Sequence, residues 1–212
     1  MFDIEYKGGN TIVITSKKIV LDIDPRTSIV GGKDQKTNGN VELGTETRFL
    51  LNNDDARLVI DGPGEYEVGD FTIRGIAATR HIDTPEQELL ATVYRLECGD
   101  VRLGIIGNVD PSLSDDQLEQ LGVIDILIIP VGGGGYTLDA TNAAMLIGRI
   151  EPKVVIPVHY SDSVLHYEVP QESLESFIKE VSAPTEESSK YKVKSASALP
   201  AALTVVCLDR VS

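Results

Sequence analysis

The chain has 212 residues, 33 acidic against 19 basic, and a formal net charge of −14, a balance that argues against a nucleic-acid backbone or an anionic membrane surface as its main partner. The length is that of one large domain with room for a substantial core. No apolar run nears the length of a membrane span and Met1-Phe2-Asp3 opens no secretory signal, so the expectation is one soluble, cytoplasmic domain over residues 1–212.

Residues 2–24 read as an antiparallel meander of three short strands, Asp3 to Tyr6, Thr11 to Ile14 and Ile19 to Ile23, broken by Gly8-Gly9-Asn10 and Ser16-Lys17-Lys18. Arg26 to Asn40 is rich in Gly, Lys, Thr and Asn and reads as a mobile loop. Between Val41 and Leu58 the pattern is ambiguous, with Thr47 to Leu51 as a candidate strand. Further strands follow at Arg57 to Ile60, Glu65 to Val68, Phe71 to Ala77, Leu90 to Glu97 and Val101 to Ile106.

Beyond Asn108 the periodicity changes. Asp115 to Leu121 is a short helix behind a Ser114 cap, and Val123 to Tyr160 forms a strand–loop–helix–strand unit around which the rest is organised. Its first strand, Ile124 to Ile129, is apolar and β-branched, as a strand buried on both faces must be. Gly132 to Gly135 is a glycine-rich loop, and Ala140, Ala143, Ala144, Ile147 and Ile150 recur at helical spacing behind Thr137 or Asp139 as cap. After Pro152 the strand Val154 to Pro157 delivers His159 at its carboxyl end, where sites of layered α/β folds lie. A third helix, Gln171 to Val181, a polar stretch from Pro184 to Lys190, a short segment Tyr191 to Lys194 and a strand Leu203 to Leu208 complete the chain. Cys98 and Cys207 fall in apparent strands, outside any metal-binding spacing. They read as two ordinary buried thiols, although a bridge between them is open to the sequence.

Several blocks together resemble the metallo-β-lactamase fold, and within it the ascorbate-phosphate-lactonase-like group of small bacterial metal-dependent hydrolases. They are Leu21 to Pro25, Val59 to Val68, Ile73 to Ile76, Ile106 to Asn108, Ile128 to Gly133 and, most specifically, Pro152 to Tyr160. The resemblance implies an α/β (α+β) four-layer αββα sandwich. It also implies two zinc-class ions held by imidazoles and carboxylates, with a bridging water acidified by the metals. The family's ligands are an HxHxDH motif, a lone histidine, an aspartate and a final histidine. Carried over, the lone histidine is His81, the aspartate position holds Asn108 and the final histidine is His159.

The HxHxDH motif is missing. Before Val59 the chain reads GTETRFLLNNDDARL, and its three histidines are His81, His159 and His166. A neutral amide at Asn108 is also a poor zinc ligand. Catalytic residues are therefore not assigned, and His81, Asn108, Gly133 and His159 are the expected remnant cleft.

The glycine run lacks the lysine of a phosphate-binding loop and reads as a turn beside that cleft. Asp61, Glu65 and Glu67 read as solvated carboxylates, and no serine-nucleophile motif is present. The leading expectation is a degenerate, non-catalytic member with no cofactor, serving as a binding or assembly protein. Its partner would be a small molecule, a protein or further copies of itself as a homo-oligomer, and neither nucleic acid nor membrane. The alternative is a hydrolase of a small ester, lactone or phosphorylated metabolite with one zinc on His81, His159 and a carboxylate such as Asp24 or Asp110.

Overall fold

The computed structural model describes residues 1–82 and 90–211. Two sheets face each other. The smaller contains β1 (Phe2–Gly8), β2 (Thr11–Ser16), β3 (Val20–Ile23), β4 (Val41–Leu43), β5 (Leu58–Ile60) and β13 (Tyr191–Val193), in the order β13-β1-β2-β3-β4-β5. The larger contains β6 (Gly64–Val68), β7 (Phe71–Ala78), β8 (Ala91–Cys98), β9 (Val101–Ile105), β10 (Ile126–Pro130), β11 (Val154–Val158), β12 (Thr185–Ser188) and β14 (Thr204–Leu208), in the order β12-β14-β11-β10-β9-β8-β7-β6. The antiparallel β1–β2–β3 meander is as the sequence reads, with Ile4 opposite Ile14 and Ile12 opposite Ile23.

The two-residue period of the strands sorts side chains between two cores. Ile126, Ile128, Val154 and Ile156 pack between the sheets with Ile4, Ile14, Leu21 and Ile23. Leu127, Ile129 and Val155 point the other way, toward the helices. Each such aliphatic side chain is worth about 1.5–3 kcal/mol of hydrophobic stabilisation. This double burial explains why β10 and β11 are continuous apolar runs and why they pair in parallel, Ile126 with Val154.

The helices are α1 (Asp115–Leu121), α2 (Ala140–Ile150) and α3 (Leu174–Val181). Ser114 caps α1 in a reciprocal box with Gln117, and the Asp139 side chain accepts from Asn142 N to cap α2. α1 lies on β7 and β8, and α2 on β10 with α3 beside it. α3 begins at Leu174 rather than Gln171, because Glu172 N donates to Gly132 O at 2.7 Å and the Gln171 side chain is held by His159.

On the outer side of the small sheet the covering layer is made of loops. Val41 and Leu43 enter the core, so Glu42 between them points outward, and it is nevertheless fully buried. Its carboxylate accepts from Thr37 Oγ1 at 2.7 Å and from the backbone N–H groups of Leu51, Asn52 and Asn53 at 2.9–3.1 Å. Two loop segments are thereby drawn onto one strand. The candidate strand Thr47 to Leu51 is instead a 3-10 turn, Thr47–Phe49, with Phe49 and Leu50 buried. Within the loop 26–40 lies a second such turn, Thr27–Val30, and the loop is tied back by Gln35 N to Pro25 O at 3.1 Å.

Cys98 and Cys207 are both free and buried, as two ordinary core thiols. Among the described residues no helix is long and apolar enough to cross a membrane.

Candidate functional site

The carboxyl ends of β3, β4, β9 and β11 supply the cleft. Two of them end in residues with left-handed backbone, Asp24 at φ 48° after β3 and His159 at φ 52° after β11. Non-glycine residues in that region carry a local conformational cost and mark places where the surroundings dictate side-chain direction. Asp24 is directed at the segment after β4. Its Oδ1 accepts from Thr45 N at 2.7 Å and its Oδ2 from Thr45 Oγ1 at 2.6 Å. Burial pushes its pKa up to about 7, and the bonds from Thr45 oppose that rise without cancelling it.

Beyond Thr45 the chain presents Glu46 and Arg48. Arg48 Nη2 donates to Glu46 Oε1 at 3.1 Å, and Arg48 Nε lies 2.9 Å from Glu46 Oε2. Arg48 Nη1 donates to the Tyr136 hydroxyl. The guanidinium carbon stands 4.6 Å from the centre of the Phe49 ring and 5.0 Å from that of Tyr136, so π-faces complete its surroundings. Arg80 Nη1 approaches Glu46 Oε2 at 3.7 Å. Burial raises the Glu46 carboxyl above its ordinary pKa, against the pull of Arg48.

Glu46 leads on to the expected remnant residues. Asn108, 1% exposed, accepts from Asn10 Nδ2 at 3.0 Å on Oδ1 and from His81 N at 2.9 Å on its carbonyl, and its side chain acts on the Glu46 carboxylate to lower that group's pKa. Among the described residues eight buried side-chain atoms lack a well-aligned partner. Five of these belong to this one connected group, namely Asn10 Oδ1, Glu46 Oε2, Arg48 Nε, His81 Nδ1 and Asn108 Nδ2. Unmet polar groups concentrated this way mark a place built for polar company.

His159 closes the other side. Its Nδ1 is 3.1 Å from Gln171 Oε1, its backbone N–H donates to Gly9 O at 2.9 Å, and its ring packs on Tyr167 at 4.8 Å. Burial pulls its pKa down to about 4, so the imidazole is neutral at pH 7. The loop after β10 must come very close to it. A Cβ at Gly132 would lie 2.1 Å from His159 O, and Gly133 holds φ +67° while its N–H donates to Leu138 O. Gly133 thus sets the left-handed corner of the turn, and Tyr136 from the same loop meets Arg48. His166 stands apart on the surface.

Among the described residues the donors present do not fit a zinc-class ion. Both Asp24 oxygens are taken by Thr45, and Asp110 Oδ1 accepts from Ser112 N at 2.8 Å. Among the described residues no three His, Cys, Asp or Glu side chains are grouped to hold a metal. The charge of Arg48 acts on Asp24, Glu46, Tyr136 and His159. A guanidinium therefore already occupies the electrostatic middle of the cleft. A groove of about 230 Å³ lined by Glu46, Thr47, Arg48, Asp61, Arg80 and Thr92 gives access to this pair.

The sequence reading places His81, Asn108, Gly133 and His159 around the cleft. It misses Asn10, Glu46, Arg48, Arg80 and Gln171, whose only signal is that Glu46-Thr47-Arg48 falls in the segment where the missing motif belongs.

Comparison with known proteins agrees with this architecture. A UPF0173 metal-dependent hydrolase from Carboxydothermus hydrogenoformans is 28% identical over 102 residues, 46% of this chain and 45% of that protein. A UPF0173 protein from Pyrococcus abyssi is 27% identical over 128 residues, 59% of this chain and 57% of that protein. The match spans about half the length of these relatives. A metallo-β-lactamase-superfamily protein from Thermotoga maritima superposes with a TM-score of 0.77 at 19% identity, covering 99% of this chain and 100% of that one. The fold protein YhfI from Bacillus subtilis gives a TM-score of 0.56 at 10% identity, covering 97% and 96%. The sequence profile of the β-lactamase superfamily domain matches residues 3–159, and with the two-sheet fold and the convergent strand ends this places the chain in the metallo-β-lactamase superfamily, a family of metal-dependent hydrolases.

Proposed function

We propose that the chain is a member of its family that has lost the dinuclear metal site and acts as a binding or assembly protein through the rebuilt cleft. One observation carries this reading. In the segment after β4, where the resemblance places HxHxDH, stand Thr45, bonded to Asp24, and the Glu46–Arg48 pair. An amide at Asn108 and a hydrogen-bonded His159 support the same conclusion. The partner is a small molecule entering beside Arg48 and Arg80, or a protein covering that mouth. Among the described residues no three His, Cys, Asp or Glu side chains are grouped to support hydrolysis by a metal-bound hydroxide.

One observation favours the alternative, a mononuclear zinc hydrolase of a small ester, lactone or phosphorylated metabolite. His81 Nδ1 is buried with no aligned partner, as an imidazole ligand without its ion would be. Elemental analysis of untagged protein, followed by zinc titration of the parent and of His81→Ala and His159→Ala, separates the two readings. The binding-protein reading expects sub-stoichiometric metal and weak titrations that are alike in all three. Tight stoichiometric zinc that disappears in either variant establishes the alternative.

A further inference from the structure

We propose that Arg48 is a built-in cation that takes the electrostatic place of the family's metal, positioning the cleft's acidic and phenolic groups without an ion. The proposal rests on the lost-site reading above and assigns the consequence to a single side chain. A cation in this cleft must have an anion to face, a route for its field to reach the groups on both sides, and a shape the cleft can hold. Arg48 meets each condition.

Glu46, its side chain only 3% exposed, offers both carboxylate oxygens to the guanidinium edge, at 3.1 Å from Nη2 and 2.9 Å from Nε. A buried carboxylate of this kind is held only by a cation and donors brought to it. The Tyr136 hydroxyl takes Nη1, and the rings of Phe49 and Tyr136 meet the guanidinium carbon at 4.6 and 5.0 Å. These partners come from separate parts of the chain, the turn after β4 and the glycine-rich loop after β10. The guanidinium therefore clasps two segments, as a bridging ion does in a metal centre. Its planarity is used on edge and faces alike, which an ammonium on a lysine stem cannot reproduce.

If Arg48 acts as a resident cation, then removing the side chain leaves a guanidinium-shaped vacancy that a free guanidinium ion refills. An ordinary stabilising surface residue gives no such behaviour. The experiment compares thermal unfolding of the parent, Arg48→Ala, Arg48→Lys and the double variant Glu46→Gln/Arg48→Ala. All are kept in chelator-treated buffer, with methylguanidinium chloride or the same ionic strength of sodium chloride.

The expected result is that Arg48→Ala lowers Tm by about 10 °C, because Glu46 is left buried with only the more distant Arg80, at 3.7 Å, to offset its charge. Low concentrations of methylguanidinium then restore most of that loss while sodium chloride does not, since a ligand that binds only the folded state raises its stability. Arg48→Lys recovers only part of the parent Tm. In the double variant, with no anion left to satisfy, the loss is smaller and methylguanidinium has no effect. Equal responses of Arg48→Ala to the two salts overturn the proposal, as does a double variant that responds like the single one. If Arg48→Ala does not fold, recovery of folded protein on refolding with methylguanidinium but not sodium chloride supports the proposal, and equal recovery overturns it. Because the chelator removes metal, the outcome does not depend on whether the parent binds zinc, so this proposal and the lost-site reading stand or fall on separate results.

Discussion

Asp24 shows how a single residue carries information about the cleft. It ends a buried strand, takes a left-handed backbone and gives both carboxylate oxygens to Thr45. Its folded pKa, about 7, lies above the unfolded value near 3.9. Between those values the folded state holds a proton that the unfolded state has released, so Asp24 makes stability fall as pH rises from about 4 to 7, by up to about 1.4 kcal/mol per unit. Asp24→Asn, which stays neutral, removes this contribution. Urea unfolding at several pH values is expected to show the variant gaining on the parent across that window. A parallel displacement of the two curves would contradict the assigned pKa. The resemblance made Asp24, His81, Asn108 and His159 visible in the sequence because each sits in or near a recognisable block. Glu46 and Arg48 were not visible, since an acid and a base two residues apart in an irregular stretch look the same whether they are solvated or buried as a pair.

At the scale of elements, the legible parts are those with strong periodicity. The β10–α2–β11 unit was read nearly residue for residue because both strands are apolar on two faces and α2 has a cap and an apolar stripe. β12 was hidden because it is an edge strand, Thr-Glu-Glu-Ser, pairing on one side with β14 and solvated otherwise. β4 was hidden because it is three residues long and carries a glutamate at its centre. That glutamate has a clear role once its four donors are known. Glu42→Gln weakens the charge-assisted bonds to three backbone N–H groups, and a loss of about 2 kcal/mol in urea-derived stability is expected. A loss within about 0.5 kcal/mol, the range of ordinary surface substitutions, would show that the loops hold without it. Gly133→Ala places a Cβ on a backbone at φ +67° and 3.0 Å from the Asp139 Cβ. It is expected to cost about 1 kcal/mol or more and to loosen the Tyr136 contact with Arg48. That second effect is read as faster hydrogen exchange, that is weaker protection, at residues 133–138.

The whole molecule has the framework of the metallo-β-lactamase superfamily, and on the reading proposed above its centre is chemically different. Among the described residues two sheets and three helices form a fold that matches a structural neighbour over nearly the full chain. The sequence disclosed that framework because burial patterns survive when a site changes. It disclosed the loss of the motif by the absence of histidines between Val41 and Leu58. It did not disclose the polar cluster of the cleft, which depends on residues from β4's following turn, the glycine-rich loop and Asn10 meeting in space. The most direct measurement of the central claim is a crystal structure from crystals soaked in zinc, with anomalous scattering recorded at the zinc edge. The account predicts no anomalous peak in the cleft and an undisturbed Glu46–Arg48–Tyr136 contact. A peak bound by His81 and His159 with Arg48 displaced would contradict it.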